Sequence, residues 1–180
     1  MSTQQASVQE LQEYWKYVES LKTGDILEDY IALVHMPPWD EICSYMDWRH
    51  YAADAGYFSN RRHGFCGVYR IVGLISKGGN PATINRVGGE DRSGTLYIGE
   101  ASNLSRRLNQ FRRTLRGKEV SHDAGRRLRF IPSLKGQFTD KLAVALLHSS
   151  IVNTKYMEQT LLEAYTNSFG DRSRTGACDV

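Results

Sequence analysis

The chain of 180 residues is poor in cysteine: it has three, Cys43, Cys66 and Cys178, an odd number set far apart. That spacing predicts neither a disulfide framework nor a zinc site, and Cys66 reads as a small buried hydrophobe rather than a nucleophile. Long apolar runs are missing, which excludes a transmembrane helix. The opening Met-Ser-Thr-Gln-Gln lacks a basic segment followed by an apolar core, so no signal peptide is expected and a cytoplasmic protein is. No segment repeats. The Gly78-Gly79 and Gly88-Gly89 pairs lack the strand, Gly-rich turn, Lys-Ser/Thr and helix order of a phosphate-binding loop. An RNA-module signature is also absent, which sets an RNA-processing enzyme behind the other readings. The apolar fraction, 41%, suffices for a core. The length allows one domain, or a domain with an extension.

Net charge is small, +3, but it is unevenly distributed. Residues 1–60 hold three Lys/Arg against ten Asp/Glu, whereas residues 61–180 hold twenty against ten. Within residues 104–130 there are nine cations and two acids. A footprint of this kind suits a polyanion, nucleic acid first; the plainer alternative is a basic surface that aids solubility.

The richest stretch runs from Thr95 to Leu115. Leu96, Tyr97 and Ile98 are strand formers, Gly99 permits a turn, and Ser102 or Asn103 can cap a helix. Leu104, Leu108, Phe111 and Leu115 then fall on one helical stripe. Arg106, Arg107, Arg112, Arg113 and Arg116 occupy the other faces, where guanidinium groups can grip phosphate bidentately. Arg106 and Arg107 lie about 100° apart on the helix, so only one should point at the sheet. Upstream, Gly67-Val68-Tyr69 sits inside a strand-like run at 65–75. Downstream, Glu158 lies over the apolar stripe of the last helix, where a carboxylate needs a partner. That partner is either an arginine such as Arg107 or a divalent metal. Glu163 falls on the outer face.

Taken in order, these pieces resemble the GIY-YIG nuclease family. Gly67-Val-Tyr69 matches its first signature and Tyr97-Ile-Gly99 its second. Asn103-Leu104-x-x-Arg107-Leu108 matches the segment with the family's arginine, and Glu158-x-x-Leu161-Leu162-x-x-Tyr165 the segment with its metal-binding glutamate. The resemblance spans about residues 65–169. It implies a catalytic set of Tyr69, Tyr97, Arg107 and Glu158, with either tyrosine orienting or deprotonating a water. It also implies Mg²⁺ (or Mn²⁺) on Glu158, helped by water and substrate phosphate. Three departures stand out. Phe111 occupies the position where many members carry His or Tyr, Asn167-Ser-Phe-Gly170 replaces a later Pro-Asn pattern, and residues 76–94 form a long insertion.

The expected DNA contacts are Arg106, Arg112, Arg113, Arg116, Lys118, Arg126 and Arg127, with His122, Asn167 and Lys77 as auxiliary candidates. The expected partner is double-stranded DNA. A palindromic site would imply a homodimer or homotetramer. Without an appended DNA-binding domain of the kind seen in homing or repair members, a type II restriction endonuclease is the expected role. The alternatives are a repair, phage or toxin nuclease, and a non-catalytic DNA-binding module.

The expected fold is α+β: a small antiparallel sheet of three or more strands flanked by helices. A helical extension is expected over 1–62, the nuclease-like domain over 63–170 and a flexible tail over 171–180. Helices are read at 7–24, 25–35 and 39–55. The insertion reads as a long hairpin connection with a strand near 82–87. Residues 117–125 read as a loop, 126–131 as a strand ended by Pro132, 133–139 as a turn, 140–152 as a helix carrying His148 near its apolar face, and 154–169 as a last helix ended by Gly170.

Overall fold

The structure, a computed structural model, describes residues 39–51, 65–138, 140–149 and 154–170. The helices expected at 7–24 and 25–35, the tail at 171–180 and Cys178 lie outside them. The chain divides into two units, Met1–Tyr45 and Met46–Val180. The described part of the first is a short helix, α1 (Trp39–Ser44), with Trp39 and Ile42 buried. The Ser44 hydroxyl donates to the Glu41 carbonyl at 2.7 Å.

The second unit is built on a four-stranded antiparallel sheet. Its spatial order is β1 (Asp47–His50), β6 (Leu142–Ser149), β2 (Cys66–Gly73) and β5 (Thr95–Ala101). A separate two-stranded hairpin, β3 (Ile84–Arg86) and β4 (Gly89–Asp91), lies in the insertion. The described helices are α2 (Leu104–Leu115), α3 (Asp123–Phe130), α4 (Pro132–Phe138) and α5 (Thr154–Phe169). The α+β class with an antiparallel sheet and helices is therefore found as expected.

Central strand β2, Cys-Gly-Val-Tyr-Arg-Ile-Val-Gly, is buried along nearly its whole length. Side chains alternate across a strand, so Tyr69 and Ile71 share one face. They cluster there with Tyr97 and Ala101 of β5, Val144 and Leu146 of β6, and Leu104, Leu108 and Phe111 of α2. Arg70, Ile98 and Ala145, aligned in register, face the other way. Helix α5 meets that second face: its Thr154 hydroxyl donates to Glu100 Oε2 at 2.7 Å, and Glu100 leaves β5 on the side opposite Tyr97 and Gly99. Arg70, buried there, donates from Nη1 to Thr95 Oγ1 at 2.8 Å.

The inserted hairpin is tied to the end of α5. Gly88 N–H donates to the Phe169 carbonyl at 2.7 Å, and the Tyr165 hydroxyl donates to Asp91 Oδ2 at 2.7 Å. Asp91, fully buried, also accepts from the backbone N–H groups of Ser93 and Thr95. Arg86 stands 5.7 Å above the Tyr165 ring.

Four stretches differ from the reading of the sequence. Residues 39–55 do not form one helix: α1 ends at Ser44, and Asp47–His50 pairs with β6 as an edge strand. Of the helix expected at 140–152 the described residues, which end at 149, are not helical either, since Leu142–Ser149 is a central strand between β1 and β2. A strand buried on both faces is apolar without alternation, and its Leu and Ala content then imitates a helix stripe. His148 accordingly lies on an exposed strand end, with Nε2 4.0 Å from Asp47 Oδ2. Third, residues 126–131 are not a strand. Residues 126–130 belong to α3, with Ile131 its extended cap; the helix packs Ala124, Gly125 and Leu128 inward. Gly125 allows that approach, because a Cβ there would lie 2.9 Å from Thr114 Cβ of α2. Last, the expected turn at 133–139 is helical over its described residues: they belong to α4, which ends at Phe138 and has Pro132 at its first position, where proline is well accommodated.

Candidate active site

Tyr69 and Tyr97 stand on neighbouring strands, facing the same side, with ring centroids 6.0 Å apart. The pairing that brings them together sets Tyr69 opposite Gly99 and Ile71 opposite Tyr97. Gly99 is required there: a Cβ would lie 2.7 Å from the Tyr69 hydroxyl and 2.6 Å from Tyr97 Cε1.

Asn103 caps α2, its side chain accepting from the Arg106 N–H at 2.8 Å. With that phase set, Leu104, Leu108 and Phe111 are buried, Arg106 is exposed and Arg107 turns inward. Arg107 Nη1 donates to the Ser121 carbonyl at 3.5 Å. Its guanidinium lies close enough to the Tyr69 and Tyr97 hydroxyls to interact with both.

Helix α2 ends at Leu115 and is capped by Arg116; Gly117 just beyond has a left-handed φ of 77°. The following loop is held by an Arg113–Glu119 ion pair at 2.8 Å and by the Ser121 hydroxyl, which donates to Glu119 at 2.8 Å. This returns the chain so that His122, at the start of α3, lies fully buried between the tyrosines and Phe111. His122 Nε2 is 2.8 Å from the Tyr69 hydroxyl. Its ring is 5.7 Å from that of Tyr97 and 5.1 Å from that of Phe111. An imidazole delivered from the N-terminus of α3 thus rests on the phenyl ring four residues after Arg107. His122 Nδ1 is buried with no hydrogen-bond partner.

The electrostatics of the cluster follow from its burial. Burial, then the adjacent Tyr97, push the Tyr69 phenol well above its ordinary value, against a smaller downward pull from Arg107. Burial, then the positive charge of Arg107, lower His122 to about 3. At neutral pH the resting cluster therefore holds a protonated phenol, a neutral imidazole and one cation.

Glu158 is 4% exposed. It shares the α5 stripe with Thr154, Leu161 and Tyr165, the stripe that meets Glu100 and Asp91. The described distances therefore bring Tyr69, Tyr97, Arg107 and His122 together, and anchor the Glu158 stripe on the other side of β5. Among the described residues no group of three or more His, Cys, Asp or Glu side chains converges as a metal cluster. A single carboxylate does not make a resident structural site. A hard cation on a lone carboxylate keeps most of its waters and arrives with substrate phosphate, and Glu158, 4% exposed, offers little room for that hydration shell.

The remaining candidates are scattered. Arg126 pairs with Asp123 and Arg113 with Glu119. Arg112, Arg116 and Lys77 line a cavity of about 450 Å³ together with Tyr51 and Asp140. Lys118 and Asn167 are exposed, and Glu163 lies outward, accepting from Gln159 at 3.0 Å. Arg127 borders a second cavity that also touches Tyr97. Asn85 and Gln137, which line that cavity, carry no signal in the sequence, because the helix holding Gln137 reads as a turn. No family profile, curated protein or solved structure matches the chain.

Proposed function

We propose that the protein is a metal-dependent endonuclease that hydrolyses phosphodiester bonds in double-stranded DNA, of the GIY-YIG type and of the restriction kind. The observation that carries this reading is the convergence of Tyr69, Tyr97, Arg107 and His122 on one face of the sheet, with His122 Nε2 2.8 Å from the Tyr69 hydroxyl.

Hydrolysis needs an activated water and stabilisation of a charge-rich, pentacovalent phosphorus. Arg107 binds the phosphate oxygens with its fork of donors. The Tyr69 phenol cannot hold a negative charge in its buried setting, so it acts as a relay. It takes a proton from water on its oxygen as its own proton passes to His122 Nε2. The hydroxide adds to phosphorus, the ester P–O bond breaks, and the leaving oxygen is protonated from solvent. His122 is a poor proton acceptor at rest because burial, and then the positive charge of Arg107, oppose the imidazolium. A phosphate anion on Arg107 offsets the second of these, so the imidazole becomes a better acceptor when substrate is bound. Tyr97 keeps the water and Tyr69 aligned. Glu158, which α5 carries on the opposite side of β5 from this cluster, is the residue that the family resemblance would have hold Mg²⁺ or Mn²⁺; that ion would supply Lewis-acid stabilisation of phosphate charge when bound.

A second reading, a non-catalytic DNA-binding module, draws on the full burial of Tyr69 and His122. One assay separates the two: plasmid and phage DNA incubated with the wild type and with Glu158→Ala, in Mg²⁺ and in EDTA. Discrete fragments from the wild type alone, only with metal, support the restriction enzyme. A smear or nicks keep the nuclease and point to a repair, phage or toxin role. Salt-sensitive binding without cleavage leaves the binding module.

A further inference from the structure

Hairpin β3–β4, strand β5 and helices α3 and α4 enclose a partly open cavity of about 250 Å³. Its walls are largely carbon, with Tyr97, Leu128 and Phe138 among them, and Asn85, Gln137 and Arg127 supply polar groups. The volume is at or below the low end of ligand pockets, roughly 300–1,000 Å³, which suits one flat ring system. Two arginines also border the cavity, Arg86 and Arg127. Arg86 donates to the Thr95 carbonyl at 2.6 Å and stands over the Tyr165 ring, so the mostly apolar wall suits a ring with polar edges better than a bare phosphate. Two amides, each with donors and an acceptor, are the groups that read a base edge, and a tyrosine is a surface on which a base stacks. Tyr97 belongs both to this cavity and to the cluster with Tyr69 and Arg107. An occupant of the cavity therefore adjoins the phosphate that Arg107 would grip.

We propose that this cavity receives an unstacked nucleobase of the DNA strand bound at the Tyr69–Arg107 cluster. The proposal rests on the nuclease reading for where the strand lies, while the cavity itself is independent of any cleavage. Extruding a base costs unpairing and unstacking energy, and least where the base is already unpaired. The test is binding of labelled duplexes in EDTA, one fully paired and four carrying a single-nucleotide bulge, one for each base. At least one bulged duplex is expected to bind about tenfold tighter than the paired one. Asn85 and Gln137 are both exposed, so their double replacement by alanine should leave the fold intact. It is expected to reduce the preference below about twofold without changing affinity for paired DNA. Thr83→Trp, at an exposed lining position, should do the same by obstruction. Equal affinity for all duplexes, or a preference that survives both variants, overturns the proposal. Mg²⁺ added to the same duplexes separates it from the nuclease reading. Bulge preference without cleavage keeps the cavity and removes the nuclease, and cleavage without preference does the reverse.

Discussion

At the scale of single residues, the cluster makes His122 the group whose chemistry is most constrained. Its ordinary value near 6.5 falls to about 3 in the folded protein. The unfolded chain therefore takes up a proton that the folded one refuses. Above about pH 6.5 both states are neutral and the full stability is present; as pH falls from 6.5 toward 3, stability is lost with a slope approaching about 1.4 kcal/mol per pH unit. Urea unfolding of the wild type and His122→Gln across this window is expected to show the slope in the wild type and a flatter profile in the variant. Tyr69→Phe should cost about 1–3 kcal/mol, because it leaves the buried His122 Nε2 unpaired; its midpoint in urea is expected to fall with an unchanged m-value. Gly99→Ala should be at least as disruptive, since its Cβ would lie 2.7 Å from the Tyr69 hydroxyl. It is expected to destabilise by about 1–3 kcal/mol through overpacking.

Elements explain why some of this was legible in advance and some was not. Strands β2 and β5 combine β-branched and aromatic residues with a turn-forming glycine, and α2 has a cap and a clean apolar stripe, so local chemistry and tertiary placement agree. Helix α5 has Gly170 just past its end, at a φ of 67°, and its start and stop also follow from the sequence. The pairing partner of β2 does not: Leu142–Ser149 has helix-like composition, and only the two strands that flank it make it a strand. The run at 126–131 alternates charge and carbon over a few residues, too short for its period to separate strand from helix, and Gly125 conceals a tight helix contact with Thr114. Of the site, the two tyrosines and the arginine were readable as motifs. The position of His122 was not, because the Gly117 turn and the Arg113–Glu119–Ser121 tether that place it act only in three dimensions. Hairpin β3–β4 is a distinct dependency, held to α5 through Tyr165, Asp91 and Gly88. Tyr165→Phe is expected to raise amide exchange across 84–91 relative to β2, and equal rates in both proteins would count against that tether.

Over the whole molecule, charge is concentrated where the motif-bearing sequence lies, and no helix among the described residues is long and apolar enough to cross a membrane. If the basic surface grips DNA, affinity must fall with salt in proportion to the phosphates neutralised, by a slope of about 0.9 per contact. Arg112→Ala with Arg116→Ala should therefore reduce that slope by roughly two contacts, read from titrations at several salt concentrations. The central claim, that Tyr69, Tyr97, Arg107 and His122 form a phosphodiester-cleaving cluster, is tested most directly by the helix face on which the arginine lies. Single-turnover cleavage of plasmid DNA in Mg²⁺ should be compared for the wild type, Tyr69→Phe, Arg107→Ala and Arg106→Ala. The prediction is a loss on the order of a thousandfold for Tyr69→Phe and Arg107→Ala, typical of removing a transition-state contact, with Arg106→Ala within a few-fold of the wild type. Cleavage by Arg107→Ala at the wild-type rate, or no cleavage by any of the four, would contradict it.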